Sequence, residues 1–127
     1  MDEPHDLPGL TAAVGRYFDL MHDNDITRFE RVFQPSAQLH GFRGDAMTLI
    51  PAATYKALLA SRPSPKSVGA PREEAILLID FASARQAMVK VRVRIDTIVY
   101  LDYLSYHRID GDWRITAKSF HIERQLG

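Results

Sequence analysis

The sequence predicts an α+β fold in which a curved, mostly antiparallel sheet wraps around N-terminal helices. Three observations predict it. Apolar residues recur at helical spacing only in the first half of the chain. From Glu73 to Glu123 the residues read as a run of long strands. The last two strands are joined at Ile109-Asp110-Gly111-Asp112 by a two-residue turn signal. Helices and strands segregated in this way mean α+β rather than alternating β/α units, and a sheet with one apolar face is buried by laying helices on its concave side.

The elements follow in order. Leu10, Val14, Tyr17, Phe18 and Met21 fall on one helical stripe, which predicts a helix from about Leu7 to His22, capped by Asp6 or Thr11. His22-Asp23-Asn24-Asp25 ends it. Asp25 suits the N-cap of a second, short helix carrying Ile26, Phe29, Val32 and Phe33, and Pro35 stops that helix. Ala37 to Phe42 reads as a strand and Gly44-Asp45 as a turn. Pro51 fits the first turn of a third helix running to about Ala60, with Tyr55, Leu58 and Leu59 on one side. Ser61 to Arg72 is rich in Pro, Ser and Gly; it is a surface loop, since too little chain lies on either side for two domains. Glu73 to Ala82 is a strand, Ser83-Ala84-Arg85 a tight connection. Ala87, Val89, Val91, Val93 and Ile95 then alternate strictly with Met88, Lys90, Arg92, Arg94 and Asp96, the pattern of a strand with two unlike faces. Tyr100 to Ile109 and Trp113 to Ile122 complete the meander.

Composition narrows the class. With 127 residues, 46% hydrophobic and 25% charged, residues 1–127 are expected to form one globular domain with a real core. Lys+Arg and Asp+Glu both number 16, so the net charge is zero and no electrostatic pull toward nucleic acid or an anionic membrane is expected. The absence of cysteine excludes disulfides, thiolate metal sites and cysteine nucleophiles. The first residues, Met1 to Asp6, are acidic and unlike a secretory leader, and the longest apolar run, Ala75 to Ile79, is too short to span a bilayer; a cytoplasmic protein is the expectation.

The final hairpin decides which polar residues share a face. Asp110-Gly111 suits a type I′ turn, so Ile109 faces Asp112. Counting back, Arg108 pairs with Trp113, Tyr106 with Ile115, Leu104 with Ala117, Asp102 with Ser119 and Tyr100 with His121. A bulge would break this register. The face is mostly apolar and is the one expected under the helices, with Asp102 beside Ser119 and diagonal to His121. A buried carboxylate next to an imidazole suits general acid–base chemistry, which makes Asp102 and His121 the candidate catalytic pair. A structural role for Asp102, accepting bonds from Ser119, a tyrosine hydroxyl or a backbone N–H, is equally open. Tyr17, His40, Tyr100, Tyr106, Trp113 and Ser119 are the candidate ligand-lining residues. Ser119, His121 and Asp102 do not make a nucleophilic triad, because Ser and His two apart on one strand lack the geometry.

The opposite face is basic, with Lys90, Arg92, Arg94, Arg114 and Lys118 in a stripe. Without a Gly-rich RNA signature or excess positive charge, this stripe reads as a solvated or dimer-buried face whose charges pair with Asp80, Asp96 and Glu74, not as a nucleic-acid site. His5, His22, His40, His107 and His121 include no helical i,i+4 pair, and the scattered glycines form no phosphate-cradling or dinucleotide motif, so no metal and no cofactor are expected.

Tyr17 with His22-Asp23-Asn24-Asp25, Val32-Phe33-Gln34-Pro35, Gly41-Phe42-Arg43-Gly44, Arg62-Pro63-Ser64-Pro65, Ala87-Met88-Val89-Lys90-Val91, Asp102-Tyr103-Leu104-Ser105-Tyr106, Gly111-Asp112-Trp113-Arg114-Ile115 and Lys118-Ser119-Phe120 occur in an order and spacing that span nearly the whole chain. This set resembles the nuclear-transport-factor-2-like superfamily of cone-shaped α+β proteins, within it the group labelled putative lumazine-binding and the polyketide cyclases. The resemblance implies a pocket between sheet and helices and a homodimer packed through the sheet. Three functions fit: a cofactor-free isomerase, dehydratase or cyclase working by acid–base chemistry on a small apolar molecule; a non-catalytic binding module for such a molecule; or an interaction module with a filled cone.

Overall fold

The computed structural model of the protein describes residues 4–127, so Met1 to Glu3 of the acidic N-terminal segment lie outside the described residues. The elements are α1 (Leu7–Asp23), a 3-10 turn (Ile26–Arg28), α2 (Phe29–Val32), β1 (Phe33–Arg43), β2 (Ala46–Pro51), α3 (Ala52–Ser61), a second 3-10 turn (Lys66–Val68), β3 (Glu74–Ser83), β4 (Gln86–Ile95), β5 (Ile98–Ile109) and β6 (Asp112–Gln125). The six strands form a curled sheet in the order β2-β1-β6-β5-β4-β3. Every neighbouring pair is antiparallel except β1 and β6, which run parallel.

Local chemistry explains the boundaries. Asp6 caps α1 through the backbone N–H of Gly9, which donates to its Oδ1 at 3.0 Å, while Trp113 Nε1 donates to its Oδ2 at 3.2 Å. One carboxylate thus satisfies an orphan helix donor and ties the helix start to the sheet. Thr11 is not the cap; its hydroxyl donates back to the carbonyls of Leu7 and Pro8. Asn24, at φ 54°, closes α1 in the left-handed conformation, and Asp25 caps the 3-10 turn through Thr27 N–H at 3.1 Å.

The helices bury the concave face. Leu10, Val14, Tyr17 and Met21 of α1 join Phe29 and Phe33, Tyr55 of α3, and the inward rows Val89, Val91, Leu104, Tyr106, Trp113 and Ile115 of the meander in one apolar cluster. No helix among the described residues is long and apolar enough to cross a membrane.

Three details differ from expectation. Pro35 does not stop the second helix, which ends at Val32; Phe33, expected on that helix, opens β1, and Pro35 lies inside the strand between Phe33 and Gln38, where the β1–β6 register shifts and a strand tolerates proline. β2 is an additional edge strand, paired from Gln38↔Pro51 to Arg43↔Ala46. Pro51 is the N-cap of α3, with φ −65° and ψ 155°, so it ends the strand and starts the helix together.

Candidate functional site

The decisive local feature is the β5–β6 hairpin. Its turn is type I′, with Asp110 at φ 51° and Gly111 at φ 83°, and the pairs Ile109↔Asp112, Arg108↔Trp113, His107↔Arg114 and Tyr106↔Ile115 follow. The register then shifts: Ser105 pairs with Ala117, leaving Thr116 as the extra residue of a bulge. Beyond it Leu104 faces Lys118, Asp102 faces Phe120 and Tyr100 faces Ile122. One inserted residue moves the side chains from Ala117 to Ile122 to the other face, up to a second register shift between Ile122 and Arg124.

Several sequence expectations are corrected as a result. Ser119 and His121 pair with Tyr103 and Leu101 and are exposed on the outer face; they do not accompany Asp102. His40, paired with Ser119 across β1 and β6, is exposed there too. Lys118, expected in the outer basic stripe, is buried inside. The acid–base pair Asp102–His121 therefore does not exist in this structure. The outer charges also find other partners: Arg92 meets Glu123 at 3.1 Å, Arg94 meets Glu73 at 3.3 Å and the backbone carbonyl of Asp96 at 2.8 Å, and Lys90 lies 5.4 Å from the Tyr103 ring centroid.

Inside the cone, Asp102 is 0% and Lys118 4% exposed. Lys118 Nζ lies 3.8 Å from Asp102 Oδ2 and 3.4 Å from Tyr55 Oη, and 5.0 and 5.1 Å from the ring centroids of Tyr17 and Tyr55. Tyr17 Oη donates to Asp102 Oδ2 at 2.5 Å, while Asp102 Oδ1 has no partner among the described residues. Burial pushes the Asp102 carboxyl above its usual range, against the opposing pull of Lys118 and the Tyr17 hydroxyl. Burial disfavours the Lys118 ammonium as well, but the Asp102 carboxylate and Tyr55 outweigh it and hold its pKa above the usual lysine value. Burial, then Asp102, pushes the Tyr17 phenol far up, so it stays a donor. The centre is a buried ammonium held by two aromatic faces and a carboxylate that is itself shut away from solvent.

A cavity of about 360 Å³ opens onto this ammonium. Its inner part is formed by Met21, Tyr55 and Lys118, its apolar walls by Leu39, Ile50, Leu59, Ile98, Tyr100 and Phe120, and its mouth by exposed residues including Arg43, Arg62, Val68 and Asp96. The Ser61–Arg72 loop, α3, and the β4–β5 turn at Asp96-Thr97 build that mouth. Such a volume lies within the usual range for small organic ligands, about 300–1,000 Å³.

Of the residues expected to line a pocket, Tyr100 does so. Tyr17 sits directly behind the cavity, linked to it through Asp102 and Lys118. Tyr106 and Trp113 are buried but do not line it; burial pushes the Tyr106 phenol up, and Trp113 is spent on Asp6. Lys118, Tyr55, Arg43 and Arg62 were missed. The signal for Lys118 was in the sequence: apolar residues at 113 and 115 and again at 120 and 122 of one strand are an odd number apart, which strict alternation cannot place on one face. Among the described residues no cluster of three His, Asp or Glu side chains is placed to hold a metal.

Comparison with known proteins agrees with this architecture. Residues 5–121 match a family model described as "Putative lumazine-binding". No curated protein matches the sequence. Among solved structures, a nuclear-transport-factor-2-like protein of unknown function from Silicibacter pomeroyi is 22% identical with a TM-score of 0.78, over 92% of this chain and 95% of that one. One from Methylobacillus flagellatus is 20% identical with a TM-score of 0.80, over 94% and 93%. A ketosteroid isomerase-like protein from Erwinia carotovora atroseptica is 13% identical with a TM-score of 0.73, over 96% and 99%. At these identities the likeness is one of fold.

Proposed function

We propose a function from two facts: the chain belongs to the putative lumazine-binding family, with the nuclear-transport-factor-2-like fold, and its cavity ends on a buried ammonium. The protein holds a small, largely apolar organic molecule by an oxygen atom that the Lys118 ammonium receives. The single observation behind this is that Lys118 has three N–H donors, yet among the described residues only Tyr55 offers an oxygen within 3.5 Å, at 3.4 Å. Its other neighbours are the Met21 sulfur at 3.9 Å, a weak acceptor, and Asp102 Oδ2 at 3.8 Å, so a buried ammonium this loosely held, facing an apolar cavity, is a receptor for oxygen.

The chemistry such a group supplies is stabilisation of negative charge developing on oxygen, as in an enolate, which is what a cofactor-free isomerase, dehydratase or cyclase needs. Asp102 acts through Lys118, keeping it charged and positioned; it does not touch the ligand. No histidine lines the cavity, and the carboxylate that does is Asp96. Two measurements on the same samples test the reading. In an NMR titration with small ketones such as cyclohexanone and acetophenone, shifts should centre on Ile98, Tyr100 and Phe120, and Lys118→Met should weaken binding roughly tenfold, the worth of a hydrogen bond to a charged group. Equal affinity in both proteins rejects the role of Lys118. Exchange of the ketone α-protons in heavy water, faster than in buffer and lost in Lys118→Met, favours the enzyme; retention of unexchanged ketone favours a binding module.

The second part of the reading is a homodimer through the sheet. The row Leu78–Lys90–Tyr103 on the outer face leaves Leu78 50% and Tyr103 43% exposed, and a net charge of zero offers no repulsion between copies. Sedimentation as a monomer throughout a rising concentration series would reject it.

A further inference from the structure

The charges around the cavity are distributed unevenly along its depth. At the inner end the Lys118 ammonium is matched by the Asp102 carboxylate at 3.8 Å, so the inner end is close to neutral as a unit. At the mouth stand two guanidiniums, Arg43 and Arg62, against one carboxylate, Asp96. Neither arginine is in an ion pair among the described residues, whereas Arg28, Arg72, Arg92 and Arg94 each meet a carboxylate within 4.0 Å. Arg43 is set over the Phe120 ring, 5.2 Å from its centroid, at the top of the cavity wall. The chain as a whole carries no net charge, so this surplus is local.

We propose that the cavity selects a small organic acid: a molecule with an apolar body, a neutral oxygen at the Lys118 end and a carboxylate at the mouth between Arg43 and Arg62. The inference rests on the pocket reading above and adds the substrate class and its orientation. Orientation follows from desolvation. A carboxylate carried inward would join Asp102 beside one ammonium and leave a net negative charge in an apolar enclosure, at a cost of several kcal/mol. At the mouth the same group stays partly hydrated and meets guanidiniums, which take carboxylates in a two-pronged hydrogen-bonded fork. A ketone or enone oxygen at the inner end needs one donor, which Lys118 has. The walls between, Leu39, Ile98, Tyr100 and Phe120, take the apolar body.

The experiment compares matched pairs. 4-Acetylphenylacetate and 3-(4-acetylphenyl)propanoate, each beside its primary amide, are titrated by NMR into the full-length chain and into Arg43→Gln, Arg62→Gln and the double variant. Both arginines are exposed, and urea unfolding of each variant checks that the loss of Arg43 from the Phe120 ring leaves the fold intact. The acids should bind roughly tenfold or more tighter than their amides, with shifts at Arg43, Ile98 and Tyr100. In the double variant the preference should fall to near unity, with the acids losing far more affinity than the amides. Added salt should weaken the acids and not the amides. Amides binding as well as acids to the unaltered chain overturn the inference and leave the pocket reading standing. An acid preference that survives in the double variant also overturns it. Failure of every acid, amide and ketone to perturb the cavity residues overturns both.

Discussion

Replacing Lys118 by methionine while testing Asp102→Asn in parallel probes the buried centre most directly. At 3.8 Å, two unit charges attract by about 4 kcal/mol at an effective dielectric constant of about 20. Each charge also lost several kcal/mol of hydration on entering the cone, so the pair as a whole contributes little net stability. Either substitution alone strands the other charge, and the expected loss is about 3–5 kcal/mol. The double variant restores neutrality and should lose less than the two single losses together, with a coupling of about 2–3 kcal/mol. Urea unfolding followed through Trp113, buried in the same core, measures all four proteins. The pH dependence has a definite sign. The folded Asp102 pKa lies above its unfolded value, so its contribution is fully present below the unfolded carboxyl pKa of about 3.9 and is lost as pH rises through the folded one. In Lys118→Met the downward pull of the ammonium is gone and that pKa rises further, so the variant's deficit should shrink as pH falls toward the unfolded carboxyl value. Lys118 itself, raised in the folded state, should contribute stability below the unfolded lysine pKa of about 10.4 and lose it as pH climbs through the folded value. Additivity of the two single losses within about 0.5 kcal/mol would refute the reasoning.

Other outcomes follow from single contacts. Tyr17→Phe removes the hydroxyl that donates to Asp102 and should cost about 1.5–3 kcal/mol in urea unfolding, as for a hydrogen bond to a charged group. His121→Ala, at an exposed position on the outer face, should change stability by less than about 0.5 kcal/mol and leave the ketone titration unaltered; a loss of binding would place His121 inside the cone. Gly41→Ala drives a methyl into the Phe120 ring, which lines the cavity, so the ring must shift; a destabilisation of about 1–3 kcal/mol with altered ligand binding is expected, read by unfolding and NMR titration together.

The architecture was legible because its signals are local. The α1 stripe, Asp6 as cap, the strict alternation of β4 and the Asp110-Gly111 turn each carry their own pattern, and the first four pairs of the last hairpin follow from the turn alone. β2 was hidden because Met47 and Leu49 face solvent, which denies it the apolar rhythm of a half-buried strand. The site was half legible. Asp102 stays inside because β5 keeps its phase, and a tyrosine hydroxyl is its partner; but which tyrosine depends on how α1 packs, and Lys118 depends on the register shift opposite Ser105. A lysine flanked by alanine and serine on a strand looks like a surface residue until Phe120 and Ile122 are given the inner face. The mouth arginines come from two separated segments, the end of β1 and the loop after α3, and carry no pattern of their own.

The chemistry inside this cone is a question of parity: an even count along β6 from the turn would offer a serine and an imidazole, and the odd count offers an ammonium. Pairing the strand without the bulge, Thr116 retained, would exchange the two sets without touching the helices or the turn, whereas deleting Thr116 would remove the bulge and keep Lys118 and Phe120 inside. The interior of this cone is therefore set by whether β6 bulges at Thr116 as much as by which residues the strand carries.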